Sequence, residues 1–457
     1  MSVAVVLFTS DLRLHDHPPL WAALAEADEV VPLFVRDTGV RAAGFDVPHR
    51  EAFLADCLTD LDDSLRRRGG RLVVRAGPVV RVVREVAAEC GASRVHLSAG
   101  VTGYARRREE ALRAGLGEAG VTLHAHDGVV TAVAPGAATP TGSDHYAVFT
   151  PYFRRWSGRP RRDTLAAPRA VRVPEGVRGG PIPARRDVAG ASPRLPEGGE
   201  TRGRERLARW LRGGISAYEE LHDDLAADAT SRLSPFLHFG AVSPTEVVSR
   251  ASAHGGAGAE AFVRQLCWRD FHYQVLAARP DAATRDYRTR HDRWRSEETA
   301  EEEIAAWRAG LTGYPVVDAA MRQLAAEGWA HNRARLLAAS FLTKTLYVDW
   351  RIGARHFLDL LVDGDVVNNQ LNWQWVAGTG TDTRPNRVLN PVAQGKRFDP
   401  SGAYVRRWVP ELADVPDGRV HEPWRLSDAE RAATGYPAPL VELAEGLARF
   451  RHARGRD

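Results

Sequence analysis

Across residues 1 to about 125, short runs rich in β-branched residues alternate with longer stretches of helical periodicity. The runs are Val3–Phe8 (VAVVLF), Val30–Val35 (VVPLFV), Arg71–Ala76 (RLVVRA) and Ser93–Ser98 (SRVHLS). Stretches such as Arg50–Gly70 (REAFLADCLTDLDDSLRRRGG) separate them. Strands alternating with helices of that length predict a parallel sheet with right-handed crossovers, a Rossmann-like α/β layer. From 154 to 206 the chain is rich in Arg, Pro and Gly without sustained periodicity, which predicts a linker draped over the surface. Beyond it, apolar residues recur at helical spacing: Val316, Val317, Ala320, Met321 and Leu324, then Leu336, Leu337, Phe341 and Leu342. Pro315 suits the first turn of the first of these helices and Gly328 its stop. The expected fold is α/β plus all-α: a Rossmann-like domain over 1–130, a linker over 131–205, and a helical domain over 206–457. There is no internal repeat.

Composition changes this picture little. At 457 residues the chain is too long for one ordinary core, and 44% hydrophobic with 26% charged residues is ordinary for a globular protein. No segment approaches the roughly 20 apolar residues of a membrane span. Cys57, Cys90 and Cys267 are scattered and odd in number, so neither a disulfide framework nor a metal pair is expected, and a reducing cytoplasm is. The net charge of +4, from 62 basic and 58 acidic residues, leaves room for a basic, nucleic-acid-binding face. The 12 Trp, most of them beyond residue 260, are the less ordinary feature. The α/β layer lacks G-x-G-x-x-G after its first strand, and no G-x-x-x-x-G-K-[ST] occurs anywhere, which argues against a standard dinucleotide enzyme.

Three polar constellations remain. Thr230–Gly240 (TSRLSPFLHFG) sets three hydroxyls and Arg232 before an apolar run, a pattern that serves either as a phosphate cradle or as a plain helix cap. Trp329–Phe341 (WAHNRARLLAASF) places Asn332 and Arg335 three apart and Arg333 on another face; Arg335 can pair with Asp363 or Asp365, and Arg333 can face an external anion. Asp363–Asp382 (DGDVVNNQLNWQWVAGTGTD) gathers acids and amides around Trp373 and Trp375. Buried, these groups need donors and acceptors that apolar packing does not supply, and a polar heteroaromatic ring would supply them.

These stretches, together with WRDFHYQVL, NPVAQGKRFDPSGAYVRRWVPEL and the N-terminal TSDLRLHDHPPLWAAL, resemble the DNA photolyase/cryptochrome family, most closely its bacterial class I CPD photolyases. The resemblance covers nearly the whole chain. It implies folded FAD in the helical domain, bound by Tyr218, Thr230, Ser231, Arg232, Leu233, Ser234, Gln265, Trp329, Asn332, Arg335, Asp363, Asp365 and Asn369, the last beside the flavin N5. It implies an electron chain of Trp373, Trp350 and Trp294, with Trp307 as substitute for the last. It also implies UV-damaged DNA as partner, with a flipped dimer flanked by Trp268 and Trp375, contacted by Gln265 and Asn332, its backbone held by Arg333 and Arg387. The implied activity is light-driven repair of cyclobutane pyrimidine dimers by a monomeric, metal-free lyase. A blue-light sensor and a (6-4) photolyase are the alternatives.

Two positions depart from the family pattern. Gln265 stands where CPD photolyases carry Glu, and Thr102 stands near a position where several members carry an acid beside a second, light-harvesting chromophore. Folate and deazaflavin fit the second site equally, and an empty site fits as well.

Overall fold

The computed structural model describes residues 1–455 and opens with a five-stranded, all-parallel sheet. Its strands are β1 (Val3–Phe8), β2 (Glu29–Asp37), β3 (Val73–Gly77), β4 (Arg94–Ser98) and β5 (Thr122–His126), in the spatial order β3-β2-β1-β4-β5. β1 is central, with Val3 opposite Glu29 of β2 and Ala4 opposite Arg94 of β4. Crossovers leave it in both directions, which is the doubly wound arrangement. The apolar runs locate four of these strands. The fifth lies at a sheet edge, only half buried: Leu123 and Ala125 pack against one core, while on the other face His124 and His126 stack near His96 at 4.9 and 5.3 Å.

Alternation along β1 sends Val3, Val5 and Leu7 into a core under the helix Val79–Cys90. Ala4, Val6 and Phe8 enter a second core that also holds Phe236, Phe239 and Phe271 of the helical half. The loop after β1 then ties the halves together. Arg13, fully buried, donates to the carbonyls of Asp16 (2.9 Å), Gly240 (3.0 Å) and Val129 (3.2 Å). Glu200 accepts from the amides of Leu14 (2.8 Å) and His15 (2.9 Å), and Asp16 accepts from Arg162 and Ser243. Gly240 has φ 63°, and a Cβ there would stand 2.0 Å from the Ser10 carbonyl, so only glycine fits this approach.

The segment between the halves departs from the expectation of a surface linker. Phe149–Ser157 forms a helix that buries Phe149, Tyr152 and Trp156. Trp156 donates through Nε1 to Asp270 Oδ2 at 2.9 Å, and the same carboxylate accepts from the amides of Ala132 (3.0 Å) and Val133 (2.9 Å). Burial pushes the Asp270 carboxyl up to about 6, against the pull of Arg269. Between Gly158 and Gly199, a single 3₁₀ turn at Arg185–Asp187 is the only regular element, in line with the irregular composition.

The second half is helical. Ala257–Ala278, Pro315–Glu327, Asn332–Ser340, Trp350–Leu360 and Val366–Ala377 are the helices that bear on the site. Pro315 does open its helix, and Gly328, at φ 59°, ends it. Trp307, Trp350 and Trp373 share one core with Val316, Leu337 and Phe341. No helix among the described residues is long and apolar enough to cross a membrane.

His96, His272 and His331 are each at most 3% exposed, and burial holds their imidazoles down to about 4. The unfolded chain takes up protons on them below about pH 6.5, whereas the folded chain does so only near pH 4. Their stabilising contribution is therefore complete above pH 6.5 and lost as pH falls toward 4. Thermal unfolding followed by circular dichroism should show a Tm at pH 5 at least about 5 °C below that at pH 7. An unchanged Tm would mean that these rings accept protons inside the fold.

Candidate functional site

The loop at 228–234 is built for close approach. Asp228 and Arg232 take left-handed φ values of 48° and 49°, uncommon outside glycine. Thr230 turns its hydroxyl inward, where Oγ1 is buried without a hydrogen-bond partner. Ser231 Oγ accepts from the Leu233 amide at 3.3 Å, and buried Leu233 pins the loop. Ser234 begins a helix of only five residues, too short for much dipole, so hydroxyls and main-chain amides are what this loop offers an anion. Arg232 departs from the sequence expectation. Its guanidinium pairs with Asp228 (2.7 Å) and Glu327 (3.2 Å) and lies 4.2 Å from the Trp329 ring, so two internal carboxylates already neutralise it. The nearby Tyr218 ring is buried edge-on to Trp210 and Phe262, each 5.5 Å away.

Trp329 joins this loop to the acidic stretch. Its Nε1 donates to Ser234 Oγ at 3.2 Å, and the Arg335 guanidinium stands 6.0 Å from its ring. Of the two acids open to it, Arg335 takes Asp363, with Nη2 to Oδ2 at 2.9 Å; its Nε is held by the Ala330 carbonyl at 2.8 Å. Asp363 Oδ1 remains buried without a partner. Asp365 instead caps the helix Val366–Ala377, Oδ1 accepting from the Val367 amide at 2.9 Å. Its Oδ2 accepts from Asn368 Nδ2 (2.7 Å) and the Tyr273 hydroxyl (3.1 Å). Asn368 is thereby oriented with Oδ1 toward His272 Nδ1 at 3.0 Å, which fixes the proton on Nδ1 and leaves Nε2 a buried, unpartnered acceptor. Asn369 donates to the Ala354 carbonyl at 3.0 Å from within the same helix.

A buried polar atom without a partner costs about 1–3 kcal/mol. Thr230 Oγ1, Asp363 Oδ1 and His272 Nε2 are such atoms, and the hydroxyls, ring N–H groups and phosphates of a flavin dinucleotide are the kinds of group that satisfy them. The donor set fits FAD.

Around this site lie the indoles. Trp373, 2% exposed, meets Phe357 edge-on at 4.9 Å and Trp307 at 6.1 Å; a Cβ on Gly353 would stand 2.2 Å from its ring, so the neighbouring helix passes directly against it. Trp350 is fully buried and donates to Asp286 Oδ1 at 2.9 Å. Trp294 is half-buried, 4.8 Å from Tyr347. Trp307 is fully buried with Nε1 on the Ala338 carbonyl at 3.0 Å, so of the two candidates for an outer electron donor only Trp294 reaches solvent.

Gln265 and Asn332 are exposed, and Trp268 and Trp375 half-buried. Arg387 is exposed, its guanidinium 5.2 Å from the Trp375 ring. Arg333 is a second departure: it pairs with Asp223 through Nη2 (2.6 Å) and Nε (3.3 Å) and lies 4.5 Å from the Phe398 ring, an acid the helical spacing gave no hint of. Lys344 carried no signal in the sequence reading. Almost wholly buried and pushed down to about 7 by that burial, it donates to the carbonyls of Pro385 (2.8 Å) and Arg387 (2.7 Å), anchoring the Arg387 segment. In the α/β half, Thr102 caps the helix Gly103–Gly117 by accepting from the Ala105 amide at 3.1 Å.

A doubly wound sheet fused to a helical half whose unpartnered buried groups suit FAD defines a two-part flavoprotein. The chain belongs to the DNA photolyase family. The family model for DNA photolyase matches residues 4–172, and that for the FAD binding domain of DNA photolyase matches 262–455. Over its full length it is 67% identical to the deoxyribodipyrimidine photo-lyase of Streptomyces griseus, covering 100% of both chains. It is 34% identical to that of Escherichia coli K12, covering 99% of each. Among solved structures, a bacterial class III photolyase from Agrobacterium tumefaciens superimposes with TM-score 0.91 at 32% identity, covering 100% of this chain and 97% of that one. The cryptochrome of Synechocystis sp. PCC6803 does so with TM-score 0.91 at 29% identity, covering 99% of each chain. The likeness in fold therefore runs across subclasses.

Arg335→Leu would leave the Asp363 carboxylate buried without a counter-charge. The ratio of flavin to protein absorbance after purification should fall at least about fivefold, the effect of roughly 1 kcal/mol or more. Full retention would place this pair outside the flavin site.

Proposed function

We propose that this protein is a light-driven lyase that reverses cyclobutane pyrimidine dimers in DNA. The full-length 67% identity to a deoxyribodipyrimidine photo-lyase carries the reading. FAD, when bound in its reduced form, supplies a light-excited electron donor. The chain's own residues do the rest. The 228–234 loop would hold the phosphates by Thr230, Ser231 and Ser234 and by main-chain amides, with Arg232 fixing the loop from behind. Asp363, oriented by Arg335, and Asn369 meet the ribityl chain and ring system. Trp373, Trp350 and Trp294 would carry electrons inward from the surface toward an oxidised flavin, a path suited to indole because it is among the most easily oxidised side chains.

The dimer must leave the duplex to reach this site, and photolyases are among the known base-flipping enzymes, with an unstacking cost of a few kcal/mol that is least at damaged bases. Trp268 and Trp375 would flank the flipped dimer, with Gln265 and Asn332 at its polar edges. Gln265 donates and accepts as a glutamate cannot, but brings no charge to the dimer. Arg387, exposed, would contact a backbone phosphate. Arg333, paired with Asp223, acts through that pair or after exchanging it for a phosphate. HNRAR (His331–Arg335) supports the bacterial CPD type over the (6-4) type. Residues 1–130 would form the light-harvesting domain for a folate or deazaflavin, 131–205 the connection, and 206–457 the flavin- and DNA-binding domain. One flipped dimer needs one subunit, so the protein is expected to work as a monomer, in the cytoplasm with the genome.

The deciding experiment offers the photoreduced protein DNA with either a cyclobutane dimer or a (6-4) lesion, under blue light and in darkness. Light-dependent loss of the cyclobutane dimer alone is expected. Repair of neither lesion, with flavin bound, would favour a sensor. Separately, Trp373→Phe should slow photoreduction of the oxidised flavin by at least about tenfold while flavin content stays unchanged; an unaltered rate would remove Trp373 from the electron path.

A further inference from the structure

Phe149, at the start of the helix Phe149–Ser157, lies face to face with Trp268. The ring centroids are 3.8 Å apart and the planes 2° from parallel. Aromatic pairs ordinarily settle edge-on or offset with centroids 4.5–7 Å apart, so this near-complete overlap is imposed by the surroundings. Those surroundings are well defined. Phe271 meets both rings edge-on, Trp268 at 5.5 Å and Phe149 at 5.8 Å. The Arg264 guanidinium lies 5.0 Å from Phe149 and 4.9 Å from Phe153. Phe149 is 5% exposed, and the far end of its helix is bolted by Trp156 to Asp270, two residues beyond Trp268 on the facing helix. Phe149 thus covers one face of an indole that stays half-buried.

We propose that Phe149, within the segment between the two halves, is a positioning residue for lesion recognition. It holds Trp268 in its binding orientation before DNA arrives. This rests on the reading that Trp268 flanks the flipped dimer. A side chain already fixed loses little rotamer freedom on binding, so the benefit falls on the DNA that uses Trp268, the damaged one. Undamaged DNA, held by phosphate contacts with its bases still stacked, gains nothing from it.

The test measures dissociation constants in the dark for dimer-containing and undamaged duplexes, with flavin content and Tm recorded for each protein. Phe149→Leu is expected to weaken binding of the dimer DNA roughly two- to tenfold, the worth of an aromatic pair, and to leave undamaged DNA unchanged. Phe149→Tyr should restore the discrimination. Equal losses on both DNAs, or no loss on either, would overturn the proposal and make Phe149 plain core. Should Phe149→Leu fail to fold, Phe149→Met makes the same comparison with a more adaptable side chain. Wild-type protein that binds both DNAs equally would sink the repair reading itself, and this inference with it.

Discussion

The burial of Arg13 is the constraint on which the arrangement of the two halves depends. A guanidinium keeps its charge at any pH a protein meets, so taking it out of water demands acceptors on nearly every N–H. The chain supplies carbonyls from three separate places: its own loop, Val129 at the end of the sheet half, and Gly240 at the edge of the helical half. Asp16 and Glu200 complete the arrangement with Arg162, Ser243 and the Leu14 and His15 amides. Each partner is usable only when the segments stand where they do. The halves are therefore held by a set of charges with one satisfactory arrangement, while the shared apolar core beneath supplies bulk attraction without direction.

That fixed apposition lets a site be assembled from distant stretches of chain. Trp329 serves as the joint, hydrogen-bonded to Ser234 of one loop and near Arg335, which orients Asp363 of another. The carboxylates divide their work. Asp365 caps a helix and orients Asn368, and through it His272, whereas Asp363 is steered by a single guanidinium and keeps one oxygen in reserve. Polar groups satisfied internally build the walls, and those left over define what the walls enclose.

Much of this was legible in the sequence, and the exceptions share a cause. β1 to β4 announce themselves by short runs rich in β-branched residues; β5, an edge strand in which two of five positions are histidine, does not. The helix Phe149–Ser157 has aromatic residues at helical spacing, but the arginines, prolines and glycines after it conceal the pattern. The Arg335–Asp363 pair could be narrowed to two acids, and only folding chose between them. Local pattern and family resemblance made Arg232 and Arg333 candidate phosphate contacts. Arg232 has one partner, Asp228, four residues away, but its second, Glu327, lies 95 residues off, and Asp223 lies 110 residues from Arg333, beyond any spacing rule. Local pattern encodes which face is buried; it does not encode who stands opposite.

Lys344 carries a consequence of another kind. Its ammonium grips the segment bearing Arg387 by hydrogen bonds to two main-chain carbonyls. Every residue type has a carbonyl, so the grip is indifferent to what is written at those positions. A change of side chain there leaves this hold on the backbone in place. The shape of this segment is thereby set separately from its chemistry.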